Sequence, residues 1–311
     1  MKIYFAPLEG ITTYIFRNAY EKAFSGIDKY FAPFISPADH CAMNPKERRD
    51  VLPENNKGLK LIPQILTCRS EHFIDAANVL KEMGYQEINL NLGCPSGTVC
   101  AKGKGAGFLR DIYKLECFLD DIYNYAEREG IAISLKTRLG YVDPEEFYDL
   151  LEVYNEYPVR ELIIHPRIRT EFYKGTPRLE YIRYAKQHSK NPIVYNGDIL
   201  KPSNIEDYGI ADLESCMIGR GLLSSPWLAK KIHSGGQIEE TEGDFNAFWM
   251  FHDEIYHAYQ EIMSPDINVL YRMKELWTYW KVLFPGYERE VKKIMKSKYY
   301  HEYESAILLM R

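Results

Sequence analysis

Short apolar runs alternate with helical patterns from Ile3 to Ile232, and that alternation leaves the chain few architectures to choose from. Eight runs stand out, at residues 3–6, 29–35, 60–66, 87–91, 132–137, 161–165, 192–196 and 215–218. Most lack clean in–out alternation, which suits a parallel sheet covered on both faces. Between them the spacing predicts helices over 70–83 (with Ser70 as N-cap), 113–128, 146–157 (after an Asp143-Pro144-Glu145 start), 178–188, 202–208 and 222–232. Strand and helix repeated to a count of eight predict an α/β fold, the (β/α)8 TIM barrel, over residues 1–240. An open doubly wound sheet is the alternative.

The chain has 311 residues, and a barrel alone takes ~250. The remainder begins at a polar, glycine-containing linker over 233–243. Beyond it, 245–263, 267–284 and 288–309 read as helices with no strand between them. A small all-helical C-terminal domain is therefore expected over 241–311. With 46% hydrophobic and 27% charged residues the composition is that of a soluble globular protein. The 6 cysteines include no C-x-x-C pair and no zinc spacing, so reduced thiols and no metal site are expected. The N-terminus is too short and broken for a signal peptide, and no apolar run reaches the ~20 residues of a membrane span. A cytoplasmic location without membrane attachment is the expectation.

In a barrel, chemistry sits at the C-terminal ends of the strands. Strand one is followed by Ala6-Pro7-Leu8-Glu9-Gly10, and Gln64 stands near the end of strand three. Strand four runs into Asn91-Leu92-Gly93-Cys94-Pro95-Ser96, strand five into Lys136-Thr137-Arg138 and strand six into His165-Pro166-Arg167. The last two end in Asn196-Gly197-Asp198 and Gly219-Arg220-Gly221. Any one of these has an ordinary explanation. Lys136 could snorkel, His165 could be a satisfied core histidine, and Asn196-Gly197-Asp198 could be a plain turn. Polar or glycine-rich groups at nearly every strand end, all on one face, are hard to explain by stability. A random cysteine is usually a buried thiol, but Cys94 lies in a loop between Gly93 and Pro95. Cys100 is its competitor, and the tight Asn-x-Gly-Cys-Pro setting favours Cys94. The segment 98–108 that follows is glycine-rich, carries Lys102 and Lys104, and reads as a mobile basic lid.

Together these residues resemble the tRNA-dihydrouridine synthase (Dus) family. The resemblance runs from Ala6-Pro7 to Gly219-Arg220-Gly221, with the motifs in the family's order. The Asn91–Ser96 loop with the glycine run at 103–107 is its most specific part. Two positions depart from the family pattern: Leu8 stands where methionine is commoner, and Pro166 stands where glycine is commoner. The resemblance implies bound FMN across the barrel top. It places Pro7, Leu8 and Glu9 at the isoalloxazine, Gln64 on its pyrimidine edge, and Lys136 near N1 and O2. His165 would contact the cofactor. Asn196, Gly197, Asp198, Gly219 and Arg220 would hold the phosphate end. It implies NADPH as reductant and a uridine turned out of its RNA stack. Hydride would pass from flavin N5 to uracil C6, and Cys94 would give a proton to C5. Asn91, Arg138 and Arg167 are candidates for holding the uracil, with Lys102 and Lys104 nearby.

The implied partner is tRNA, a polyanion, yet the net charge is -5 and the pI about 6.0. RNA binding must then rest on a local patch. Between residues 267 and 300 eight basic residues face three acidic ones, with Tyr271, Trp277, Tyr279, Trp280, Tyr299 and Tyr300 interleaved. Basic and aromatic groups together suit phosphate contact and base stacking, although the aromatics could equally be core. Two other readings compete. One is an FMN barrel for a small molecule, similar to dihydroorotate dehydrogenase or old yellow enzyme. The other is a tRNA-binding relative without catalysis. A monomer is expected.

Overall fold

The computed structural model describes residues 1–237 and 239–311. Nine parallel strands form one sheet: β1 (Lys2–Phe5), β2 (Lys29–Phe31), β3 (Leu61–Ile62), β4 (Gln64–Ile65), β5 (Glu87–Leu92), β6 (Ala132–Gly140), β7 (Leu162–Ile168), β8 (Ile193–Asn196) and β9 (Ser215–Ile218). Their order is β3-β2-β1-β9-β8-β7-β6-β5-β4. The third expected strand is thus split at Pro63, whose ring nitrogen has no hydrogen for the ladder. Its first half pairs with β2 and its second with β5. These halves are consecutive in the chain, so the two ends of the sheet meet. Ile35 N donates to Gln64 O and Leu66 N to Ile35 O, both at 2.8 Å, and close the cylinder. This is the expected TIM barrel, with one of its eight strands broken.

The expectation of non-alternating strands fails on β5 and β6. Asn89, Asn91, Ser134, Lys136 and Arg138 lie on the barrel-interior side, and Ile88, Leu90, Ile133 and Leu135 face the helices. The pattern is inverted because the interior here leads to a polar cavity. Elsewhere the interior is filled by Tyr4, Phe31, Ile62, Ile163, Val194 and Met217. Below them Lys29 is buried and pairs with Glu87 at 3.0 Å and Glu161 at 2.7 Å, and Glu161 also accepts from the Tyr4 hydroxyl at 2.6 Å. That satisfied plug closes the N-terminal end of the barrel and leaves the other end for chemistry.

Several helix expectations need correction. Arg69, not Ser70, is the N-cap of Ser70–Glu82, and the Ser70 hydroxyl donates to Asp121 at 2.7 Å. Pro226 divides the helix expected over 222–232 into Arg220–Ser224 and Leu228–His233. The last C-terminal helix is likewise two, Glu288–Lys296 and Tyr300–Leu308. Pro45–Val51 went unread although Asn44 and Glu47 form a capping box around Pro45. The segment 98–108 is no open lid: Cys100 and residues 105–109 are buried, and Ala106 N donates to Cys94 O at 3.0 Å.

The C-terminal helices grow directly from the barrel's outer shell. Thr241 and Asp244 cap the helix Glu242–Ile262. Its Phe251 ring packs 5.3 Å from Phe16 and 5.2 Å from Phe24. Trp277 and Trp280 of the helix Asp266–Trp280 are fully buried, so these two aromatics are core and not part of an RNA face. The expected linker includes position 238, which lies outside the described residues. It is tethered at Glu240, which accepts from Trp227 Nε1 at 2.9 Å. Among the described residues no helix is long and apolar enough to cross a membrane.

Candidate active site

The C-terminal strand ends open into a cavity of about 670 Å³. Pro7, Leu8 and Glu9 line it from the β1 loop, and Gln64, Asn91 and Cys94 from β4 and the β5 loop. Lys136, Arg138 and His165 reach it from β6 and β7; Asn196, Gly197, Asp198, Gly219 and Arg220 complete the far side. Arg167, Lys102 and Lys104 do not line it. Lys102 is exposed, and Lys104 donates to Ser36 Oγ at 3.2 Å.

The loop bearing Cys94 is fixed from several directions. Asn91 Oδ1 accepts from Gly93 N at 3.0 Å and Cys94 N at 2.9 Å, and Asn91 Nδ2 donates to Gln64 Oε1 at 2.8 Å. Gln64 in turn donates to Asn89 at 2.7 Å. Arg138 Nε donates to Gly93 O at 2.8 Å and Nη1 to Ile168 O at 3.1 Å. A Cβ on Gly105 would come within 2.9 Å of Cys94 Cβ, and one on Gly107 within 2.6 Å of the Cys100 backbone. The glycine run therefore serves close packing beneath the loop. Cys100 is buried and turns its thiol to Cys94 O at 3.4 Å, away from the cavity. Burial raises the Cys94 thiol above the usual thiol range, against a smaller lowering by the Ser96 backbone N–H. A protonated thiol facing a cavity can give a proton; it is a poor nucleophile at neutral pH.

Positive charge gathers opposite that thiol. Burial lowers the Lys136 pKa to about 7, helped by the repulsion of Arg138, and no carboxylate is among the charges acting on it. A half-buried cation without a partner, desolvated by its surroundings, calls for an anionic ligand. Arg138 is brought down to about 10, first by burial. The His165 ring is held well below its usual pKa by burial and by four surrounding cations. Its Nε2 lies 3.1 Å from Arg167 Nη1, which can only donate. The imidazole is thereby neutral with its proton on Nδ1, a donor available to a ligand.

At the far side, the backbone N–H groups of Gly197, Asp198, Gly219 and Arg220 donate to no other group among the described residues. Four free donors on two adjacent loops form a place for an anion. Gly221 permits the approach of these loops, since a Cβ there would lie 2.0 Å from Ile199 O. The Asp198 carboxylate accepts from Arg220 at 2.6 Å and from Arg167. Arg167 is fully buried and bonded besides to His165 and to the carbonyls of Lys174 (3.0 Å) and Gly175. It braces the site from behind.

Several lining residues escaped the sequence reading. Tyr173 lies at the cavity mouth, with the Arg220 guanidinium 4.6 Å and the Arg138 guanidinium 5.5 Å from its ring centre. An exposed tyrosine in a polar loop past a strand end was its only signal. Glu275 and Thr278 come from the helix Asp266–Trp280, as does Tyr279, which the sequence offered as part of the RNA patch. Thus a C-terminal helix forms one wall of the cavity.

A family model described as dihydrouridine synthase (Dus) matches residues 4–304. A probable tRNA-dihydrouridine synthase of Staphylococcus aureus (strain COL) is 28% identical over 294 residues, covering 90% of this chain and 83% of that protein. A protein of the same name from Staphylococcus epidermidis (strain ATCC 12228) is 30% identical over 235 residues, 73% of this chain and 70% of that one. Among solved structures, morphinone reductase in complex with tetrahydroNAD superposes with a TM-score of 0.51 over 78% of this chain and 90% of that one. At 12% identity it shares the fold alone.

Proposed function

The chain belongs to the dihydrouridine synthase (Dus) family, and from that premise we propose that it reduces uridine to 5,6-dihydrouridine in tRNA with FMN as bound cofactor and NADPH as reductant. Residues 1–240 are the catalytic barrel in this reading, and 241–311 the tRNA-binding helices. The observation that carries it is one cavity holding both the Cys94 thiol, whose pKa burial raises, and a half-buried Lys136 with no carboxylate partner.

The residues present fit a flavin mononucleotide. The free N–H groups of Gly197, Asp198, Gly219 and Arg220 suit its phosphate. Lys136 suits the anionic edge of the ring, while Nδ1 of His165 and the amide of Gln64 supply polar contacts at the same level. Pro7, Leu8 and Glu9 bound the ring's space. When bound and reduced by NADPH, the flavin supplies the hydride taken up at uracil C6.

The chain's own residues complete the reaction. A stacked base cannot reach a cavity set at the strand ends, so the uridine must leave its stack to enter. Cys94 gives its proton to C5, and the deprotonated sulfur recovers one from solvent. Arg138, fixed through Nε and Nη1, supplies positive charge toward the uracil carbonyls where negative charge builds up. Asn91 sets the Cys94 loop with its oxygen and keeps a second Nδ2 hydrogen for the base. Tyr173 and Tyr279 narrow the mouth and limit water.

The test is to incubate the purified protein, FMN and NADPH with a tRNA transcript lacking modifications, then digest it and quantify nucleosides by mass spectrometry. Dihydrouridine at discrete positions is the expected result. Its complete absence, with FMN bound and reducible by NADPH, would overturn the proposal.

A further inference from the structure

A second cavity, of about 450 Å³, lies beside the first. The two share Glu9, Pro33 and Phe34 as a common wall. Its other sides come from Tyr14 and Ile15 at the start of the helix Tyr14–Ala23, from the helix Pro45–Val51, and from Tyr259 to Arg272 of the C-terminal helices. Nothing in the reaction described above uses it.

Its lining combines three chemistries. Tyr14, Phe34 and Tyr259 supply aromatic surface. Asn268 donates from Nδ2 to Ser264 O at 2.9 Å, while its Oδ1 accepts nothing among the described residues. Of the charged groups, Asp50 is taken by Arg17 and Tyr14 N, Glu47 by Ser36 N and Asn44 N, and Arg272 by Glu275 and Gly10 O. Lys46 meets Glu9 only at 3.9 Å, and Arg49 makes no ion pair or side-chain hydrogen bond among the described residues. What remains uncommitted includes aromatic faces, the Asn268 amide oxygen, the Thr13 hydroxyl, the Glu9 carboxylate and two cations.

We propose that this cavity receives the nucleotide next to the target uridine, so that the protein reads a neighbouring base. The inference rests on tRNA being the substrate. Because the two cavities share a wall, an RNA strand whose uridine enters the first can seat the adjoining nucleotide in the second. Aromatic faces stack any base, an amide reads a base edge, and Lys46 and Arg49 take the phosphate that joins the two nucleotides. The pocket belongs jointly to the barrel and the C-terminal helices, so it orients the RNA on both.

The experiment uses the full chain with FMN and NADPH and three tRNA transcripts: intact, abasic on the 5′ side of the reduced uridine, and abasic on its 3′ side. Loss of one stacked base raises KM by about 10- to 100-fold, and one of the two abasic transcripts is expected to show it with kcat little changed. Tyr14→Ala raises KM comparably on the intact transcript and adds little on that abasic one. Arg49→Gln flattens the salt dependence of tRNA binding by about one unit of slope. If both abasic transcripts keep the intact KM, the subsite is wrong, whatever Tyr14→Ala does to folding. Full additivity of Tyr14→Ala with both abasic sites also overturns it. Dihydrouridine that ignores its neighbours removes this subsite alone, whereas no dihydrouridine on any transcript removes the activity and the subsite with it.

Discussion

Arg138 Nε donates to the carbonyl oxygen of Gly93 at 2.8 Å, which fastens the second cation of β6 to the loop that carries Cys94. One guanidinium thus sets the position of the thiol, lines the cavity and leaves Nη2 without a hydrogen-bond partner among the described residues. Lysine has a single point charge and cannot span Gly93 O, Ile168 O and a ligand at once. Arg138→Lys is expected to slow uridine reduction by reduced enzyme roughly 10- to 100-fold, on the scale of one lost charged hydrogen bond. FMN affinity should stay within a few-fold. Stopped-flow oxidation by tRNA, with FMN titration alongside, checks both.

Lys136 costs the empty protein stability and gives it back when an anion binds. Its pKa falls from an unfolded 10.5 to about 7, so between those values the unfolded chain binds the extra proton. Stability from this group therefore rises with pH from about 7 to 10.5 and is lowest below 7. The flavin-free Lys136→Met variant should melt above the flavin-free wild type at pH 7. The advantage amounts to as much as a few kcal/mol and shrinks toward pH 10. With excess FMN the gap should narrow by about 1.4–2.7 kcal/mol, because the variant binds FMN about 10- to 100-fold more weakly. Thermal melts at several pH values with and without FMN decide this.

Much of this site could be read before the fold was known, because barrel chemistry falls at strand ends and the chain order supplies them. Cys94, Lys136 and His165 could be placed on one face by counting strands. What could not be read depends on distances between segments far apart in sequence. Arg167 looked like a ligand residue, yet three-dimensional packing gives it to Lys174, Gly175, His165 and Asp198. Tyr173, Glu275 and Thr278 reach the cavity through a loop conformation and a domain contact that leave no local pattern. The glycine run at 103–107 signalled mobility by composition, but those glycines exist to let backbone pack against Cys94 and Cys100. Pro63 split a strand whose apolar run looked continuous, since a run of apolar residues does not show where the ladder breaks.

Arg167 braces the loop that presents Tyr173. Its removal leaves Asp198 to Arg220 and frees the carbonyls of Lys174 and Gly175. Arg167→Met should lower stability by about 1–3 kcal/mol and make the exposed bond after Lys174 several-fold more sensitive to trypsin. KM for tRNA should rise more than kcat falls, since Tyr173 and not Arg167 reaches the cavity. Timed digestion with mass analysis of the fragments is the check. Unchanged digestion together with lost tRNA affinity would instead make Arg167 a substrate contact.

The central claim is that the Cys94 thiol is the proton donor to uracil C5. The most direct measurement is dihydrouridine formed in tRNA by pre-reduced enzyme, compared between wild type and Cys94→Ala across pH. For wild type the rate should stay flat as pH passes the ordinary thiol range near 8.5, because burial keeps the thiol protonated, and should fall only above it. Cys94→Ala should form dihydrouridine about 10²- to 10⁴-fold more slowly, while binding FMN and being reduced by NADPH as before. A Cys94→Ala enzyme that modifies tRNA at the wild-type rate would contradict the account.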